Sequence, residues 1–194
     1  MKKIITTVML AIAAICSTAQ AGDFYLGGTV GFMHKSGNVK STNEFTLMPE
    51  LGYSFNDKWG VGGTIGYTYL NTNYKASNLS DTNLNLFTIN PYARFTYFRT
   101  SNDLIALFID GSVGFGIGST TYEDLNKTKT AVTYEIGFKP GIAINITDHF
   151  SIVSHLGFLG YHGANDNAKD GGQEEYGGVN FDSNHLDIGL YYTF

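Results

Sequence analysis

Cysteine is almost missing from this chain of 194 residues: Cys16 is the only one. It lies near the start, so the remainder has no disulfide framework and must be stabilised by something other than cross-links. Proline is nearly as scarce, with three residues. Basic residues number 12 against 17 acidic ones and form no patch, which argues against nucleic acid as a partner. The histidines, His34, His149, His155, His162 and His185, show no tight metal spacing. His149 and His155 share a face but lie ~20 Å apart along a strand at ~3.3 Å per residue, so no metal site is expected. No stretch after the first twenty residues is long and apolar enough for a transmembrane helix.

The one apolar run, Ile4 to Cys16, follows Lys2 and Lys3 and leads into "STAQA". A positive start, a short apolar segment and small residues at Ala19 and Ala21 read as a signal peptide cleaved before Gly22. The run is too short to span ~30 Å as a helix. Ile15 stands where a lipoprotein needs a small residue before its cysteine. Residues 1–21 are therefore expected to be a cleaved signal peptide and 22–194 one domain. Every aromatic residue and every glycine lies in 22–194, where 10 basic residues face 17 acidic ones.

What the sequence does have is alternation. Apolar and small or polar residues trade places with a period of two, which is a strand period. Eight strands are expected, at roughly 22–34, 44–55, 59–70, 84–98, 104–118, 131–145, 149–161 and 183–194. Phe150, Ile152, Leu156 and Phe158, for instance, share the apolar face of the seventh. The connections 56–58, 99–103 and 145–148 are short. Those at 35–43, 71–83, 119–130 and 162–182 read as long loops, the last glycine-rich and acidic. This is an up-and-down meander, with strands long enough to cross a bilayer when tilted. Pro49, Pro91 and Pro140 recur on the second, fourth and sixth strands, where bulges are expected because proline lacks a ladder N–H.

Residue size decides which face is inside. An eight-stranded barrel is narrow, and Gly27, Gly52, Gly62, Gly66, Gly114, Gly116 and Gly141 all carry the polar-face parity. The bulky aromatics fit only outside, and an exterior of Leu, Ile, Phe and Tyr suits lipid. Phe24, Phe55, Trp59, Tyr97, Phe150, Tyr192 and Phe194 form one girdle; Phe32, Tyr69, Tyr134 and Phe158 lie towards the other. The expected fold is all-β, an eight-stranded antiparallel up-and-down transmembrane β-barrel.

The chain ends on "HLDIGLYYTF", with Leu186, Ile188, Leu190, Tyr192 and Phe194 on the apolar face. With "PELGYSFNDKWGVGGTIGYTY" (49–69), it resembles small bacterial outer-membrane β-barrels of the OmpA/OmpX-like porin family, over essentially all of 22–194. The resemblance implies a Gram-negative outer-membrane location among lipid and lipopolysaccharide. It also implies that the terminal residues are the assembly signal read by the outer-membrane insertion machinery.

Chemistry is sparse. Ser154 and His155 are adjacent on a strand and point to opposite faces, so they do not form a nucleophile–base pair. The sequence predicts no enzyme, no cofactor and a monomer. Counting from the short-turn end places Glu50, Arg94, Asp110, Lys139, His155 and Asp187 at similar height inside, with Glu135 one step further. Charges in a narrow lumen should pair, so a polar network plugging the barrel is expected. The function expected is structural, or binding through long surface loops. The alternatives are a narrow passive channel and a lipid A-modifying enzyme.

Overall fold

The computed structural model describes residues 23–75, 80–180 and 187–194, with the backbone alone for Asn180 and Asp187. The expected signal peptide lies outside the described residues. Strands run β1 Asp23–Ser36, β2 Lys40–Ser54, β3 Trp59–Tyr74, β4 Thr82–Arg99, β5 Ile105–Tyr122 and β6 Lys127–Asn145. They continue as β7 Phe150–His155, β8 Phe158–Ala164, β9 Tyr176–Asn180 and β10 Asp187–Thr193, with one short helix, α1, at Asp166–Asp170. Each of β1 to β6 pairs antiparallel with its neighbour; β7 joins β6, and β10 joins both β7 and β1. β7 and β8 are two halves of one wall strand, both paired to β6; β9 pairs with β8 and β10 with β7, so β9 and β10 together form the eighth wall strand. The result is a closed eight-stranded antiparallel barrel.

Burial is inverted relative to a water-soluble protein. Phe32 is 76% exposed, Val30 68% and Leu190 66%, whereas Glu50 is 4% and Asp110 2% exposed. Apolar side chains on the outside and charges on the inside are stable only if the outside is lipid. Rings pack across strands at the end holding both termini: Phe24 against Tyr53 at 4.7 Å, Trp59 against Phe95 at 4.7 Å and Tyr192 edge-on to Phe150 at 5.0 Å. Towards the far end, Tyr67 meets Phe87 at 5.0 Å and Tyr134 meets Tyr161 at 5.9 Å. At the terminal end the turns are pinned by side chains. Asn56 Oδ1 accepts from the Lys58 and Trp59 amides, and Thr147 Oγ1 from Phe150.

Four expectations need correction. The far-end loops are mostly wall. Strand pairing continues to Ser36↔Ser41, Thr72↔Thr82 and Tyr122↔Lys127, so most of each expected loop is strand. The sequence there is polar on both faces because a strand above the lipid needs no apolar side chains. The segment 162–182 is also structured, holding the end of β8, α1 and β9.

The prolines behave in two ways. Pro49 and Pro91 pair normally with Gly28 and Gly63 on the preceding strand. On the following strand, pairing skips from Leu47 to Glu50 and from Ile89 to Tyr92 without any register slip. These are gaps in the ladder, not bulges. Pro140 alone faces a true slip: Phe138↔Leu159 and Gly141↔His155 place one extra residue between β7 and β8.

That extra residue reverses the parity of the rest of this wall strand, β8. Phe158, expected outside with the far girdle, is inside and 4% exposed. Leu159 and Tyr161 face out in its place.

Candidate functional site in the lumen

Glycines facing inward make the lower lumen possible. Four inward aromatics each pair directly with a glycine of the neighbouring strand: Tyr25↔Gly52, Tyr92↔Gly62, Tyr191↔Gly27 and Phe108↔Gly141. A Cβ at any of these glycines would overlap the ring opposite. The rings therefore lie flat across their neighbours and fill the terminal half of the barrel.

Charge threads through the rings. Arg94 forks onto Asp110, with Nε 2.7 Å from Oδ1 and an Nη 2.7 Å from Oδ2. The same nitrogen lies 3.4 Å from Glu50, and His155 Nε2 lies 2.9 Å from Asp110 Oδ2. Glu50 also accepts from the hydroxyls of Tyr92 and, at 2.7 Å, Tyr191. Tyr92 spends its one proton on Glu50, so Tyr25, 2.7 Å away, donates to Tyr92. The guanidinium sits 4.1 Å from the Phe108 ring centroid and 5.1 Å from that of Tyr92, within cation–π range.

Glu50, Arg94, Asp110 and His155 thus come together. Lys139 and Glu135 do not join them. Lys139 Nζ is 2.6 Å from Glu135 Oε1, four residues back on its own strand, and His162 Nδ1 is 3.6 Å from Oε2. His162 stacks on Tyr176 at 5.3 Å. Among the described residues no hydrogen bond or ion pair links this trio to the Arg94 cluster. Asp187 pairs with His155 through its backbone, and its side chain lies outside the described part of the structure. Leu186 lies outside the described residues. Ile188 and Leu190 are exposed to the lipid side. Tyr192 and Phe194 meet edge-on at 5.0 Å, and the Phe194 amide donates to Phe24.

Sequence reasoning missed Tyr25, Tyr92, Phe108 and Tyr191. Their inward parity was visible, and the signal was a glycine waiting opposite each. It also missed His162, Phe158 and α1.

Above the ring layer lies a cavity of about 910 Å³. Its floor is Glu50, Tyr92, Asp110, His155 and Tyr191; its walls include Thr46, Met48, Thr64, Thr68 and Thr88; its rim reaches Lys35, Ser36 and Lys40. The buried hydroxyls of Thr88 and Ser112 have no hydrogen-bond partner among the described residues. Opposite that rim, α1 folds over the far mouth. Asn165 caps it by accepting from the Ala168 amide at 2.9 Å. Ala168 is buried against Leu70, Leu84, Leu86, Ala131 and Ala164. Thr120 and Thr82 donate to the Asn167 and Asp170 carbonyls, and the Tyr122 hydroxyl to Asp170. Outside the barrel wall, Lys169 pairs with Glu175, which also accepts from Tyr161 at 2.5 Å. Lys169 holds the Glu175 carboxyl below its usual range, with Tyr161 adding to the effect.

Ser154 shares its level with the outward Ile142 and Ile188, whereas His155 turns inward to Asp110. The two do not meet. Among the described residues no group of three His, Cys, Asp or Glu side chains is placed to hold a metal ion.

No curated protein matches the sequence. Among solved structures, Neisserial surface protein A is similar, with 17% identity and a TM-score of 0.52 over 90% of this chain and all of that one. The attachment invasion locus protein Ail of Yersinia pestis is also similar, with 15% identity and a TM-score of 0.43, covering 91% and 100% of the two chains. The family model of the outer membrane protein beta-barrel domain matches residues 6–194, so the chain belongs to that family and is an integral protein of the Gram-negative outer membrane.

Proposed function

We propose that the protein is a non-enzymatic barrel with a structural or surface-binding role, its lumen plugged in the terminal half. The end carrying both termini faces the periplasm after cleavage of residues 1–21, and the far end faces outward. The plug reading is supported above all by the layer of Tyr25, Tyr92, Phe108 and Tyr191 around the Arg94–Asp110 fork. Binding would fall to the extended far-end strands and the folded segment 165–175, in place of the long loops the sequence suggested.

The test is conductance in planar bilayers. Wild type should show no steady open-channel current, and Arg94→Ala should add intermittent leak. A large, steady wild-type current would replace this reading with the passive channel.

Ile188, Leu190, Tyr192 and Phe194, with Leu186, are proposed to serve assembly. Phe194 seals the terminal rim through its bond to Phe24. Deleting Phe194 should leave most of the protein unfolded in the periplasm, read as loss of the heat-modifiable band. Normal amounts of inserted protein would discard the assignment.

A further inference from the structure

Above the lipid-facing band, the outward face changes from apolar and aromatic to amide. Phe32 is followed by His34 on β1, Phe45 is preceded by Asn43 on β2, and Tyr69 is followed by Asn71 on β3. On β4, Phe87 is preceded by Asn85 and Asn83. His34, Asn43, Asn71 and Asn83 are direct cross-strand partners in sequence around the wall. Their side chains join into one rail. His34 Nδ1 is 2.7 Å from Asn43 Oδ1. Asn43 donates to Asn71 at 3.4 Å, Asn71 to Asn83 at 2.9 Å, and Asn83 to Glu123 at 2.6 Å.

The rail is anchored to the girdle beneath it, since Tyr69 donates to Asn83 at 2.9 Å and Tyr67 to Asn85 at 2.8 Å. Its two central acceptors are filled. Asn71 Oδ1 takes Asn43 and Asn73, and Asn83 Oδ1 takes Tyr69 and Asn71, which fills two lone pairs on each. Among the described residues, Asn43, Asn71, Asn73 and Asn83 each commit only one of two amide N–H groups.

Four neutral N–H donors are therefore left over, held in place by cross-strand bonds, so little side-chain freedom remains to be lost on binding. These donors suit a partner that offers oxygen acceptors in the layer just above the hydrocarbon. Phosphate recognition favours Arg and Lys. The rail has neither: Lys75, on the same face, is turned onto the Gly37 carbonyl at 2.7 Å, and Glu123 ends the chain of bonds with a negative charge. We propose that this rail is a docking surface for the saccharide headgroup of outer-leaflet glycolipid, gripped through sugar oxygens and acyl carbonyls and not through its phosphates. The surface is continuous with the lipid-facing band. The inference rests on the orientation proposed above and does not depend on whether the lumen conducts.

The test uses the full barrel in neutral detergent micelles, where lipid reaches both ends whatever the orientation in cells. The probes are dephosphorylated lipid A, diphosphorylated lipid A and phosphatidylglycerol, and the readout is the thermal unfolding midpoint. Both lipid A forms should raise the midpoint by about 3–5 °C over phosphatidylglycerol. The rise should persist in about 0.5 M NaCl, where charge is screened within a few ångströms. Asn71→Thr with Asn83→Thr should keep the phosphatidylglycerol midpoint and lose at least half the lipid A rise. An equal rise in wild type and variant, a rise confined to the phosphorylated form or abolished by salt, or no rise at all would overturn the proposal. If the double variant does not fold, the wild-type probe and salt arms decide alone. Antibody access on intact cells to a tag inserted between Gly37 and Asn38 tests the orientation separately.

Discussion

The two halves of the lumen are filled by different means. In the terminal half, side chains do everything: rings lie on glycines, and the Arg94 charge is matched by two carboxylates. In the far half, a cavity of about 910 Å³ is left, and main chain closes part of the mouth through α1. The first solution ties together strands far apart in sequence, since Glu50 alone reaches Tyr92, Arg94 and Tyr191. The second depends on one local segment. A barrel can therefore be rigid at one end and adaptable at the other without any change in its wall.

The strongest way to break this contrast is Arg94→Ala. It would strand Asp110 and Glu50 as buried carboxylates lacking their cation, and removing one partner of a buried pair costs about 3–5 kcal/mol. The urea midpoint of the refolded barrel should fall accordingly, and Arg94→Lys should fall less because charge survives while the fork is lost. A midpoint unchanged by Arg94→Ala would mean that the rings alone hold the lower lumen.

A finer comparison uses one substitution in each half. Gly62→Ala drives a methyl into the Tyr92 ring and should cost about 1–3 kcal/mol, the usual range for overpacking. At Gly31 the nearest atom to an added Cβ is Thr46 Cβ, 3.8 Å away. Gly31→Ala should therefore stay within about 0.5 kcal/mol of wild type. Equal costs, measured by urea unfolding, would erase the distinction between packed and open halves.

The same contrast explains what could be read from the sequence. The wall was legible in the lipid zone, where alternation is enforced on both faces. It stopped being legible at Asn71, Asn83 and Thr128, because strands beyond the lipid need no apolar face, and polar residues on both faces look like loop. Glu50, Arg94, Asp110 and His155 were found together by counting height. Lys139 was misplaced in that network because Glu135, four residues away on the same face, captures it. Phe158 was misread because one extra residue opposite Pro140 flips the parity. Five residues of α1 are too few to show a helical period.

The smallest expected effect concerns the far half alone. Lys169 and Glu175 pair outside the wall and help hold the segment that carries α1. Glu175 is lowered from 4.5, first by the Lys169 N–H and then by the Tyr161 hydroxyl. A depressed acid contributes stability that is fully present above its free value and lost as pH falls through its lowered one. Lys169 is raised from 10.5 by the same bond. A raised base contributes stability that is present below its free value and lost as pH climbs through its raised one. The pair should therefore hold between the two free values and loosen only at the acid and alkaline extremes. Both groups are exposed, so solvent screening keeps the effect local. Amide chemical shifts of 165–176, followed by NMR as pH falls below 4.5, should show a transition that Lys169→Met shifts towards the ordinary carboxyl value. The same transition in both proteins would show that Lys169 does not hold this segment.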